Sequence, residues 1–508
     1  MRQGWALVAL VAALASPAWA QVRPPVEQRP DFSEMSRAEI RAVIRAMPKG
    51  GDLHVHLSGA PYAETYLQWA AEDGLCVDTV RWALVDPCTP SGDRVLASSL
   101  TADQRSLMMD SLSTRRPDFA GRNGHDQFFT AFDRFGATRD HRRGDMLADL
   151  MTNLAAQNTF YVEVMWMPQS RAARELGRTA GWSGDPAVME RAVAAGLPAL
   201  VSAAQAETDA VMARVEEILR CEPPPGWAAS GEVYVWDGRM GCEVTVRFLV
   251  QANRLLPPEE TYGQLALGAA LVAADPRWVG LQLVAPEDHP NALANYDTHM
   301  AMFTRFVGSE VPVALHAGEL TLDYATPAEI RDHVRRAVDA GARRIGHGVA
   351  IPYETEAEAL VAQMAAEGTT VEINLTSNAD ILGIEGADHP VIWLRQAGVP
   401  VVYTTDDPGI SRSDLSGEYA RAVFDTGASY EDLVTSARNA LAFSFLPGEG
   451  LWLDPGVYRQ PTPDCAGDIE TGAESLACQA LLERSPLARE QMRYESRLAA
   501  FEAERASP

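Results

Sequence analysis

Gly51-Asp52-Leu53-His54-Val55-His56-Leu57 reads as a short buried strand that ends in two imidazoles. Residues i and i+2 of a strand face the same side, so His54 and His56 point into one cavity. Three more polar clusters follow comparable apolar runs. Val311-Pro312-Val313-Ala314-Leu315 precedes His316-Ala317-Gly318-Glu319, Ala342-Arg343-Arg344-Ile345 precedes Gly346-His347-Gly348, and Val399-Pro400-Val401-Val402-Tyr403-Thr404-Thr405 precedes Asp406-Asp407. Titratable residues at the C-terminal ends of successive strands are the layout of a (β/α)8 active site. Singly, each cluster has an ordinary explanation. A His-x-His pair packs in a strand or faces solvent, Gly-His-Gly makes a tight connection, and Asp-Asp-Pro favours a turn. Their joint occurrence, in the order of four barrel strands, argues for one site.

The rest of the chain supplies the other strands. Predicted strands run over Gly51–Leu57, Thr159–Trp166, Thr245–Val250, Val279–Val284, Pro312–His316, Ala342–His347, Thr370–Asn374 and Pro400–Thr404. Helix-like stretches lie between most of them, including Pro327–Ala340 and Glu354–Glu367. Such alternation predicts parallel βα units and an α/β (β/α)8 barrel of the triose-phosphate-isomerase type. A barrel needs about 250 residues and grows with insertions, so 508 residues point to one elaborated domain. Its core is expected over 46–450, after a lead-in at 21–45 and before an extension at 451–508.

The motifs resemble those of the adenosine deaminase family, within the metal-dependent amidohydrolases. The matching stretches are Met47-Pro48-Lys49-Gly50-Gly51-Asp52-Leu53-His54-Val55-His56-Leu57-Ser58-Gly59, Tyr161-Val162-Glu163-Val164, His316-Ala317-Gly318-Glu319, Arg344-Ile345-Gly346-His347-Gly348 and Thr404-Thr405-Asp406-Asp407-Pro408. Asn374-Leu375-Thr376-Ser377-Asn378 and His389-Pro390 fall where the family has similar segments. A leader and long inserts are similar to the secreted branch, the adenosine-deaminase-related growth factors. The resemblance implies that His54, His56, His316 and Asp406 bind one zinc ion, with an open position for water. Cobalt and iron suit the same ligand types. Such a centre makes water nucleophilic near neutral pH. His347 is then expected to take the water's proton, Glu319 to protonate purine N1, and Asp407 to bind N7. The products are inosine and ammonia.

Two positions depart from the family pattern. Ser58 stands where cytosolic members carry an Asp that contacts the ribose, and Ala285 stands where many have a Gly whose backbone N–H meets the purine. These departures keep a second reading open, deamination of another 6-aminopurine or of an adenine nucleotide. A third reading, of a different class, is a catalytically silent binding or signalling protein on the same fold. The presence of both His347 and Glu319 argues against it.

Lys49 is the chain's one lysine and precedes the first strand. It is badly placed to become the carboxylated lysine that bridges two metals in related enzymes, so one metal per chain is expected. A net charge of −26 disfavours nucleic-acid polymers as partners, because phosphate binding relies on Lys and Arg. A neutral purine nucleoside escapes that repulsion, whereas a nucleotide would need a local arginine cluster that the sequence does not reveal.

Residues 1–20 read as a signal peptide. Arg2 is its positive start, Trp5 to Leu14 its apolar region, and Ala18-Trp19-Ala20 its cleavage site. The apolar run is short of the roughly 20 residues a spanning helix needs, so periplasmic or secreted localisation is expected, without membrane insertion. The six cysteines fall as neighbours, Cys76 with Cys88, Cys221 with Cys242 and Cys465 with Cys478. Disulfides suit an oxidising compartment, and this pairing is preferred among fifteen connectivities. Insertions are expected at about 76–126 and 216–244. The first leads into Phe128-Phe129-Thr130-Ala131-Phe132-Asp133-Arg134-Phe135, whose aromatics are read as packing a helix rather than lining a pocket. An amphipathic helix near Ala480–Glu504 is a candidate for capping the barrel or for homodimerisation, and the sequence does not choose.

Overall fold

The structure is a computed structural model that describes residues 29–139, 141–221, 241–471 and 475–506. Residues 1–20, read above as a signal peptide, and residues 222–240, within the second expected insertion, lie outside the described residues. Eight parallel strands carry the core: β1 Gly50–His56, β2 Thr159–Trp166, β3 Thr245–Asn253, β4 Trp278–Val284, β5 Ala314–Ala317, β6 Arg344–His347, β7 Thr370–Ile373 and β8 Val401–Tyr403. β1 to β4 form one ladder and β5 to β8 another, each in chain order. Parallel bridges Leu281–Val313 and Val55–Asp406 join the two at both seams. At the second seam Asp406 N donates to His54 O at 2.8 Å and His56 N donates to Asp406 O at 3.0 Å. The ring is thereby closed into a (β/α)8 barrel, and its last seam runs through the predicted metal ligands.

The strands are short apolar runs because both faces are covered, as parallel sheets require. All eight residues of β2 are buried, and β5 to β8 are buried throughout. Helix Arg37–Ala46 ahead of β1 starts at a capping box made by Ser36 and Glu39 and buries Ile40, Val43 and Ile44. Inside the barrel runs a buried ionic chain. Arg344 on β6 donates to Glu163 on β2 and to Glu372 on β7, both at 2.6 Å, and Glu372 meets His54 on β1.

Local details differ from the sequence reading. The helix expected over Pro327–Ala340 is two helices, Pro327–Ile330 and His333–Asp339, because Asp332 leaves helical geometry at φ −134°. The tail helix is likewise two, Leu476–Arg484 and Pro486–Ala506. Pro486 cannot continue the earlier helix, and Ser485 Oγ accepts from Ala488 N at 3.1 Å to begin a new one. This last helix packs on the N-terminal end of the barrel. Thr245, the first residue of β3, donates to Glu490 at 2.6 Å, and Arg438 forks onto Glu495 at 2.7 and 2.8 Å.

The first insertion holds a small antiparallel sheet, with Cys76–Asp78 between Ala83–Val85 and Arg94–Leu96. Disulfides join Cys76–Cys88, Cys221–Cys242 and Cys465–Cys478. Among the described residues no single helix is long and apolar enough to cross a membrane.

Candidate active site

The barrel brings the four separated motifs together at the C-terminal ends of β1, β5, β6 and β8. His316 Nε2 lies 3.1 Å from His54 Nε2 and 3.3 Å from His56 Nε2. Asp406 Oδ1 lies 3.4 Å from His54 Nε2 and 3.3 Å from His56 Nε2. Donors at about 2.0–2.1 Å from a tetrahedral zinc are roughly 3.3–3.4 Å apart, so the spacing fits a metal. Electrostatics agree. Two imidazole nitrogens at 3.1 Å need a proton or a metal cation between them. Burial opposes charge on His54, yet Asp406 and Glu372 pull it up to about 10. The site calls for positive charge where these nitrogens meet. Burial and the neighbouring histidines push His316 well down, to the neutral form a metal ligand needs.

Surrounding side chains aim these groups. His54 Nδ1 meets Glu372 Oε2 at 2.7 Å and His56 Nδ1 meets Gln251 Oε1 at 3.2 Å, which directs both Nε2 atoms inward. Ser377 Oγ donates to Asp406 Oδ2 at 2.7 Å. Gln251, Glu372 and Ser377 were not recognised as site residues from the sequence. A signal was available for two of them, since Gln251 stands near the C-terminal end of β3 and Glu372 is a charge inside an apolar strand.

Glu319, His347 and Asp407 share this centre. Glu319 Oε1 is 3.6 Å from His347 Nδ1. Burial, with the charges of Asp406 and Glu287, raises the Glu319 carboxyl well above the ordinary range. Burial and Asp406 do the same to Asp407, whose Oδ1 has no hydrogen-bond partner among the described residues. Burial pushes His347 down to about 4, so its imidazole is neutral at pH 7. Asn378 Nδ2 stands 2.9 Å from His347 Nδ1 and is oriented by His389, 3.0 Å from the amide oxygen. Glu319 is held from below: Glu287 accepts from Glu319 N at 2.7 Å and Gly318 N at 3.2 Å, and binds His333 at 2.6 Å and Arg254 at 3.3 Å.

The backbone here is tightly specified. Ala285, His347 and Asp406 have φ of 86°, 68° and 60°, conformations that cost a residue with a Cβ about 1–3 kcal/mol each and cluster at active sites. Gly59 has no substitute, since a Cβ there would lie 1.5 Å from Asp407 Oδ1.

The cavity above these groups has a volume of about 370 Å³, and Ser58 and Ala285 line it. So do Phe128, Phe129 and Phe132, which corrects the expectation that these rings only pack a helix. Helix Gly124–Arg134 lies over the mouth and turns them inward, while Phe135 alone stacks on Tyr66 at 4.5 Å.

Comparison with known proteins agrees with this geometry. The family model described as adenosine deaminase matches residues 232–451. An adenosine deaminase of Escherichia coli (strain SMS-3-5 / SECEC) is 31% identical over 221 residues, covering 42% of this chain. That match spans 61% of the relative's own length. Among solved structures, the N6-mAMP deaminase MAPDA of arabidopsis superposes with a TM-score of 0.52 at 22% identity, over 80% of this chain and 95% of that one. An amidohydrolase from B. ambifaria with bound Zn superposes with a TM-score of 0.50 at 18% identity, over 82% and 92%. His54 and His56 precede the matched segment, and the barrel brings them within 3.3 Å of His316, inside it. Residues 232–451 are thus similar to the adenosine deaminase family model, and the chain spans about three fifths of the length of the adenosine deaminases it matches.

Proposed function

We propose that this protein is a zinc-dependent hydrolase that converts adenosine or deoxyadenosine to the inosine product and ammonia. The observation that carries the reading is the meeting of His54, His56, His316 and Asp406, through contacts of 3.1 to 3.4 Å, beside a cavity that also holds the buried carboxyls Glu319 and Asp407. Bound zinc supplies an activated water at neutral pH. Glu319, whose carboxyl burial and the neighbouring charges raise, donates a proton to purine N1, making C6 electrophilic. Asp407, raised in the same way, donates to N7. Neutral His347 accepts the proton of the attacking water, and the backbone N–H of Ala285 meets the purine. Water adds at C6, the 6-amino group leaves as ammonia, and the phenylalanines exclude bulk solvent.

Export to the periplasm or cell exterior is part of the proposal. Three disulfides and the signal-like segment at 1–20 support it. Ser58 and Ala285 at the cavity favour a second reading, another 6-aminopurine or an adenine nucleotide. A related solved structure is the ADAL-IMP complex, at 21% identity. The test follows the ultraviolet spectrum of adenosine with purified protein, with and without a zinc chelator. Conversion to inosine that chelation abolishes is expected. No conversion by zinc-loaded protein rejects the adenosine assignment.

A further inference from the structure

A second chamber of about 250 Å³ adjoins the catalytic cavity. The two share Ser58, Arg139, Gln251, Asn253 and Val284, so they lie side by side with Ser58 at their boundary. Their linings differ. Asp133, Glu319, Asp406 and Asp407 line the catalytic cavity together with Arg139, which both spaces share, whereas Arg143 and Arg174 line the chamber alone, with no carboxylate among its described lining residues. In a chain with 69 acidic and 43 basic residues, three arginines around one chamber are a local concentration of basic groups.

The arginines are held from behind. Arg143 donates to Glu207, which Gln169 also grips through its backbone and side-chain nitrogens at 3.0 and 2.7 Å. Arg174 engages Glu260 through Nε at 2.6 Å, which leaves its Nη donors without a hydrogen bond among the described residues. Guanidinium forks match phosphate oxygens in geometry and charge. Ser58 lies where the two spaces meet, and its hydroxyl can donate to an anion there.

We propose that this chamber receives a phosphoryl group borne on the sugar of a 6-aminopurine nucleoside, so that nucleoside monophosphates are substrates alongside the uncharged nucleoside. This rests on the deaminase reading for the purine end of the cavity.

The test is calorimetric titration of the zinc-loaded, full mature protein with inosine and with inosine 5′-monophosphate, which needs no turnover. The monophosphate is expected to bind about tenfold tighter at low salt, the effect of one good charge-assisted contact. The preference should shrink at high ionic strength, and fall at least about fivefold in R143Q and in R174Q. Equal wild-type affinity for the two ligands overturns the proposal, as does a preference that survives both substitutions. Deamination of adenosine and its 5′-monophosphate is assayed in parallel. Monophosphate preference without any turnover removes the deaminase reading and leaves the chamber. Turnover of adenosine without that preference removes the chamber alone.

Discussion

His54 Nδ1 lies 2.7 Å from Glu372 Oε2, and neither side chain reaches solvent. The contact ends a chain that begins at Glu163 and passes through Arg344. A carboxylate behind a ligating histidine fixes its tautomer and raises its basicity. In E372Q, metal affinity should fall by about 10–100-fold in chelator competition. Unchanged affinity would separate this ionic chain from the metal centre.

Glu319 stands beside the donor cluster without belonging to it. E319Q should keep the wild-type metal content while losing about 10²–10⁴-fold in kcat, the usual contribution of a positioned acid. Near-wild-type turnover would show that some other group protonates N1.

Glu287 anchors the loop that carries Glu319. Burial alone would raise its carboxyl, but the charges of His333 and Arg254 outweigh burial and hold it at about 2. A carboxylate held below its unfolded value contributes stability that is present above pH 4.5 and lost as the pH falls towards 2. Denaturant unfolding of the wild type should therefore weaken across this window, by roughly 3 kcal/mol from this group. E287Q should show a shallower dependence and lower stability at pH 7. Parallel profiles for the two proteins would contradict the role given to Glu287.

Ala285 is held at a φ of 86°, where glycine is at ease and a Cβ is not. A285G should raise the unfolding free energy by about 1 kcal/mol. A fall in melting temperature would mean that the methyl group packs usefully in the cavity wall.

The lone lysine bears on metal count. Lys49 Nζ is buried and donates to Gln157 O at 2.6 Å and Met47 O at 3.2 Å, at the opposite end of β1 from His56. It cannot bridge two ions at the other end of the barrel. Elemental analysis should return one tightly held metal per chain, and two would refute this.

Much of the site was legible in the order of residues. Alternation in β1 puts His54 and His56 on one side, because side-chain direction along a strand has a period of two. The order of apolar runs and polar ends foretold a parallel barrel, since parallel strands are buried on both faces and read as mostly apolar runs. Neighbouring cysteines foretold the three disulfides, because short loops close readily. Contacts between residues far apart in the chain were decided only by the tertiary structure. Glu372 behind His54, Glu287 beneath Glu319, and the phenylalanines turned into the cavity depend on how the closed ring staggers its strands and on where one helix crosses its mouth. So does the meeting of Arg139, Arg143 and Arg174 beside Ser58. A local pattern records which way a side chain faces along its own element. Which distant side chain it meets is set by packing between elements.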